Sequence, residues 1–177
     1  MEDADARELL TQMWVDQHEA VTRFVARRVE ASLVDDIVSE TFLVAWRRLA
    51  DVPAEPKPWL LGVARNVLAT HLRTHGRWRA LGVRLEREPA GGREGTDDLA
   101  ADRTDLHRAW EMLTDADREV LALVAWDGLT AVEGARVLGI RPSTFSVRLT
   151  RARKRLLAYS GLPSETASVL QKLQEAR

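Results

Sequence analysis

The chain has 177 residues, with 26 lysines and arginines against 27 aspartates and glutamates, a net charge of −1 at pH 7. A hydrophobic content of 45% is enough for packed cores, as one ordinary domain or two small ones. The absence of cysteine excludes disulfides, thiolate zinc sites and cysteine nucleophiles together. No apolar run approaches the ~18 residues of a membrane span. The acidic opening MEDADARELL lacks the apolar core of a signal peptide. A cytoplasmic protein that does not insert into membranes is expected.

Apolar residues recur with a helical period almost throughout, and no strand pattern stands out. The first predicted helix covers roughly 5–29, with Leu9, Leu10, Met13, Val21, Phe24, Val25 and Val29 apolar. The second covers roughly 33–50 behind Ser32 as N-cap, with Val34, Ile37, Val38, Phe42, Ala45, Trp46 and Leu49 on one face. DVPAEPKP follows as a stiff loop, because three prolines oppose a helix there. A third helix runs from near Pro58 to about His75 on a stripe of Leu60, Leu61, Ala64, Val67, Leu68 and Leu72. Residues 88–103, EPAGGREGTDDLAADR, read as a flexible acidic linker. A short helix then carries Leu106, Ala109, Trp110 and Leu113. Thr114 and Asp117 form a cap-like start for the next, which holds Val120, Leu121, Leu123, Val124 and Trp126 and ends at Gly128. The tail from about 160 contains a short amphipathic pattern in Val169, Leu170 and Leu173.

Residues 128–156, GLTAVEGARVLGIRPSTFSVRLTRARKRL, carry the most information. Thr130 and Glu133 have the spacing of a capping box. Gly139 suits a left-handed turn, and Pro142 suits a first helical turn. Phe145, Leu149, Ala152 and Leu156 then form an inward stripe, leaving Ser146, Val147, Arg148, Thr150, Arg151 and Arg155 to point elsewhere. This is the pattern of a helix-turn-helix whose second helix fits a major groove.

The small net charge hides a partition. Residues 1–60 are net −5, 61–87 net +5, 88–119 net −6 and 141–155 net +6. Two separate basic blocks, each on a helical pattern, point to two contacts with a polyanion. The acidic segments between and before them point to a basic protein partner.

Taken together, these features resemble a bacterial RNA polymerase sigma factor of the extracytoplasmic-function (ECF) group, over roughly residues 8–158. DDIVSETFLVAWRRL at 35–49 resembles the family's helix that docks on the polymerase clamp. PWLLGVARNVLATHLR at 58–73 resembles the helix that opens and reads the minus-10 element, and 110–156 resembles the module that reads the minus-35 element. The resemblance implies an all-α fold of two small helical domains joined by a flexible linker: a region 2 domain over 5–87, the linker 88–103, a region 4 helix-turn-helix domain over 104–159, and a tail over 160–177. It implies core polymerase and promoter DNA as partners, with an anti-sigma protein as a family expectation. By it, Asp36, Ser39 and Glu40 contact the polymerase, with serine at 39 where the family often has glutamine. Arg65, Asn66, Arg73 and Arg77 contact the minus-10 strand, with Asn66 near an extruded base and Trp59 anchoring the core. Ser146, Val147, Thr150 and Arg151 read minus-35 bases, Arg148 and Arg155 hold phosphates, and Thr144 assists at the helix start. The sequence departs from relatives at the Pro-rich loop, which lacks the common Phe-Arg-Gly stretch. It departs also at Arg141, where a capping serine is frequent, and at Gly134, where a bulky aliphatic is usual and packing would be lost.

Two other readings compete. A stand-alone helix-turn-helix regulator accounts for residues 105–156 but leaves the basic third helix unexplained. An enzyme has little support: His71 and His75 are four apart with no convincing third ligand, and no phosphate loop or nucleophile motif is present. Neither a cofactor nor a metal is expected.

Overall fold

The structure, a computed structural model, describes residues 3–74 and 97–161. Arg77, Trp78, His75 and the 162–177 part of the tail lie outside the described residues. Three helices form an N-terminal unit: α1 (Asp3–Ala26), α2 (Ala31–Arg47) and α3 (Pro56–Thr74), with a 3-10 turn at Leu49–Asp51 before α3. Four form a C-terminal unit: α4 (Asp97–Met112), α5 (Asp115–Ala125), α6 (Ala131–Leu138) and α7 (Pro142–Ser160). The described residues contain no strand.

In the N-terminal unit, Val21, Phe24 and Val25 of α1 meet Ile37, Val38 and Phe42 of α2 and Leu60, Leu61, Ala64 and Leu68 of α3, all buried. Three helix boundaries differ from the sequence reading. Helix α1 stops at Ala26, three residues early, because Arg27 and Arg28 turn inward to ion pairs described below. Helix α2 is capped at Glu30, whose extended backbone (φ −71°, ψ 149°) makes the entry without a side-chain bond, so Ser32 lies inside the first turn. Helix α3 takes in Pro56 and Pro58. First-turn amides have no acceptor within the helix, so proline costs nothing there.

In the C-terminal unit, α4 begins at Asp97, within the segment read as linker. Past its last glycine that segment ends in DDLAADR, which holds neither glycine nor proline and so nothing that breaks a helix. Thr114 caps α5, its hydroxyl accepting from the Asp117 amide at 3.2 Å. The capping box of α6 is formed at both ends. The Thr130 amide donates to Glu133 Oε2 at 2.7 Å, and the Glu133 amide donates to Thr130 Oγ1 at 3.3 Å. Gly139 turns the chain with φ 64°, a conformation that disfavours any side chain. Pro142 occupies the first turn of α7, with Arg141 at the N-cap contributing no side-chain bond.

The helix-turn-helix is locked by one ring. Phe145 is fully buried, and a Cβ built at Gly134 would stand 2.5 Å from it. The expected loss of packing at Gly134 is therefore corrected: the missing side chain of α6 is replaced by the Phe145 ring from α7. Leu149 and Ala152 continue the buried stripe, and Leu156 is half-buried.

Proton linkage at the cap gives a testable consequence. The Thr130 hydroxyl and then the Thr130 amide hold the Glu133 carboxyl below its ordinary value of 4.5. A depressed folded-state pKa contributes stability that is present above the unfolded value and lost as pH falls through the folded one. Glu133→Gln is therefore expected to be less stable than the parent chain at neutral pH, with the difference shrinking below about pH 4. Paired acid-unfolding curves monitored by circular dichroism measure it. A difference that does not depend on pH rules out the carboxylate as its source.

The two units pack on one another. Helix α3 lies against α6, where a Cβ on Gly62 would be 3.8 Å from Val137 Cα. Arg27 and Arg28, at the end of α1, reach Asp127 and Glu119 of the C-terminal unit.

Candidate nucleic-acid and protein interfaces

Helix α7 presents the predicted recognition face. Ser146, Val147, Arg148, Thr150 and Arg151 are exposed, and Thr144 is half-buried at the helix start. Val147 is 49% exposed, and an exposed aliphatic side chain on such a face suits a thymine methyl. The Thr150 hydroxyl donates to the Ser146 carbonyl at 2.9 Å, leaving its oxygen free to accept. Arg155 differs from the others. Its guanidinium donates to both oxygens of Asp117 at 2.9 and 2.7 Å, and Asp117 is buried. It thus straps the second half of α7 to the start of α5. The side chain is still about half exposed, at 48%.

On α3, Asn66 is exposed and Arg65 half-buried, with the Arg65 Nε buried and accepted by no protein atom. Arg73 is exposed two turns further on, donating to the Thr70 hydroxyl at 3.3 Å. Arg65 and Asn66 open into a cleft of about 530 Å³ that also includes Arg48, Trp59, Arg136 and Gly139. Trp59 is half-buried against the core, with the Arg48 guanidinium 5.8 Å from its ring. The lining thus combines the cations Arg48, Arg65 and Arg136 with one carboxylate, Glu55, and with apolar Trp59, Val63 and Val137.

On α2, Asp36 and Ser39 are exposed. Glu40 is partly held: its Oε2 is 2.6 Å from His71 Nε2 of α3. The contact has no signature in the sequence, because nothing in a linear pattern pairs residues 31 apart. Leu43, one turn past Ser39, is 46% exposed and adds an apolar patch beside the carboxylates. Among the described residues no group of histidines and carboxylates could hold a metal, and no helix is long and apolar enough to cross a membrane.

Known proteins align with this geometry. Residues 14–78 match the family described as Sigma-70 region 2, and residues 103–156 match Sigma-70, region 4. The ECF RNA polymerase sigma factor SigC of Mycobacterium tuberculosis is 36% identical over 148 residues, covering 78% of this chain and 76% of SigC. CnrH of Cupriavidus metallidurans, an RNA polymerase sigma factor, is 33% identical over 75% of each chain. Among solved structures, the sigma factor RpoE of Bartonella quintana, bound to the anti-sigma factor NepR, superposes with a TM-score of 0.61 at 25% identity, covering 86% of this chain and 96% of that one. CnrH, in complex with the cytosolic domain of CnrY, superposes with a TM-score of 0.58 at 25% identity, covering 88% and 92%. Matched by region 2 and region 4 in the same order, and by whole ECF factors across most of its length, the chain belongs to the sigma-70 family of RNA polymerase sigma factors, in its ECF group.

Proposed function

We infer that this chain is an alternative sigma factor that binds core RNA polymerase and directs promoter-specific initiation. Its units correspond to a region 2 domain over 5–87 and a region 4 domain over 104–159, with the chain between them as connector. The observation that carries the residue assignments is the α7 face, where two arginines stand free of the packed stripe beside Ser146, Val147 and Thr150. Ser146, Val147, Thr150 and Arg151 read minus-35 base edges. Arg148 contacts phosphate, and Thr144 supports the helix start. Arg155 serves first as a strap to Asp117, and its exposed half lies near enough to the same face to meet a phosphate. Arg65, Asn66, Arg73 and Arg77 hold the separated minus-10 strand. Such a strand is gripped by its phosphates and by an extruded base, for which the amide of Asn66 offers a donor and an acceptor. The chain's role is binding; the polymerase performs the chemistry, and the site of action is the cytoplasm. RpoE is solved with the anti-sigma factor NepR, and CnrH with the cytosolic domain of CnrY, which supports an anti-sigma factor as a partner here too.

Asp36, Ser39 and Glu40 dock on a basic surface of the polymerase, where carboxylates steer and orient more than they add affinity. Asp36→Lys is expected to slow holoenzyme assembly several-fold at low salt, and Asp36→Lys with Glu40→Lys to slow it further. Assembly is read by native gel shift of purified core enzyme and by run-off transcription from a library of genomic fragments with start sites sequenced. A melting curve on each variant separates this from loss of the Glu40–His71 contact. Unchanged assembly by folded variants would move the docking surface elsewhere. Promoter-specific binding in the absence of core enzyme would favour the stand-alone regulator instead.

A further inference from the structure

One contact ties the carboxylates of α2 to the helix that carries Arg65 and Asn66. His71 lies in the last turn of α3, one turn on from the buried Leu68 and beside the buried Leu72. Its Nε2 is 2.6 Å from Glu40 Oε2, across the seam where α2 and α3 pack. An ionised carboxylate only accepts hydrogen bonds, so Nε2 carries the proton and donates, whether the ring is neutral or charged. The separation is that of a charge-assisted bond. The two side chains are 26% and 44% exposed, so the ring sits mostly within the seam while the carboxylate still reaches the surface.

Glu40 has little else to keep it there. Its side chain turns about three bonds, and ordering such a group has an entropic cost. Asp36 stands four residues earlier on α2, where like charges repel. The other residues three and four positions away, Ile37, Leu43 and Val44, offer no side-chain donor. Among the described residues His71 is the one side chain bonded to Glu40, and it takes Oε2 alone. Oε1 accepts from none of the described residues, which leaves one oxygen of a fixed carboxylate for a cation outside the chain.

We propose that His71 is a positioning residue for polymerase docking, which orders the Glu40 carboxylate so that its second oxygen meets a cationic group of the core enzyme without a further search. The proposal rests on the assignment of Asp36, Ser39 and Glu40 to the docking surface. A side chain ordered before the encounter gives tighter association than one that must be ordered during it. His71 acts here through Glu40, from a helix whose other polar residues are assigned to DNA.

His71→Phe keeps a ring in the seam and removes the donor. His71→Gln keeps a donor, with its amide nitrogen near the reach of Nε2. Equilibrium binding of each full chain to purified core enzyme, by competition with a dye-labelled parent chain at one pH and salt concentration, separates them. His71→Phe is expected to bind roughly 2- to 10-fold more weakly, the range for releasing one rotamer-rich side chain at an interface, and His71→Gln to recover most of that loss. In a Glu40→Ala background His71→Phe should change nothing further, because the carboxylate it orders is gone. Melting curves check folding, and His71→Leu is the second donor-free variant should the phenylalanine ring not fit the seam. A folded donor-free chain that binds as tightly as the parent would overturn the proposal. Tighter binding would overturn it too, by showing that His71 competes with the polymerase for Glu40. So would a His71→Gln chain as weak as His71→Phe, or a His71→Phe loss that persists without Glu40. A parent chain that does not bind core enzyme would instead sink the sigma reading, and parental binding by Glu40→Ala would remove the docking assignment.

Discussion

Arg151→Ala is expected to lower transcription from the cognate promoter by roughly 5- to 150-fold, the range that follows from losing a bidentate arginine–guanine contact of ~1–3 kcal/mol. The position is exposed on α7, so truncation removes no buried group. Holoenzyme assembly and melting temperature should stay at the parental values. The effect should also be selective: promoters altered at the base that Arg151 reads should no longer distinguish the variant from the parent. Arg148→Ala should behave differently, weakening all promoters alike and flattening the dependence on salt, because phosphates carry no sequence. In vitro transcription across a minus-35 substitution series separates the two. Equal output from the Arg151→Ala enzyme on every template would place the reading face in another register of α7.

The second large effect is structural. Gly134→Ala gains ~1 kcal/mol of helix propensity on paper, yet a Cβ there would meet the Phe145 ring at 2.5 and 2.6 Å. A fully buried ring in a two-helix seam has little room to retreat, so overpacking is expected to prevail. A net loss of ~1–3 kcal/mol is anticipated. Phe145→Leu in the same chain should recover part of it by shortening the knob that fills the gap, even though Phe145→Leu alone leaves space behind and costs stability. Denaturant titration of the two single variants and the double variant reads the coupling. Additive losses would mean that the two residues do not share that space.

What the sequence made legible is local. The capping box at Thr130 and Glu133, the left-handed Gly139, Pro142 in a first turn and the Phe145–Leu149–Ala152 stripe each depend on residues within a few positions of one another, and all are present. Contacts across long separations were not legible. The Arg27–Asp127 pair spans 100 residues, and Arg28–Glu119 spans 91. An Arg-Arg at the end of an apolar helix looks the same whether it faces water or a carboxylate. For that reason the end of α1 was extended too far, and two basic surfaces expected to stand apart proved to belong to units in contact. Gly134 was misread for a related reason. A vacancy on one helix looks like lost packing until the ring that fills it, eleven residues on, is placed beside it. Arg155 was assigned by its neighbours' company on a basic helix, and its carboxylate partner on α5 has no signature in that helix.

The strap between Arg155 and Asp117 bears on how such a protein could diversify. It fixes the tilt of α7 from the far end, while Phe145 fixes it from the near end, and neither anchor uses Ser146, Val147, Thr150 or Arg151. Those four positions can be exchanged without disturbing the scaffold that aims them, so a descendant could acquire a new target vocabulary while inheriting the same mount.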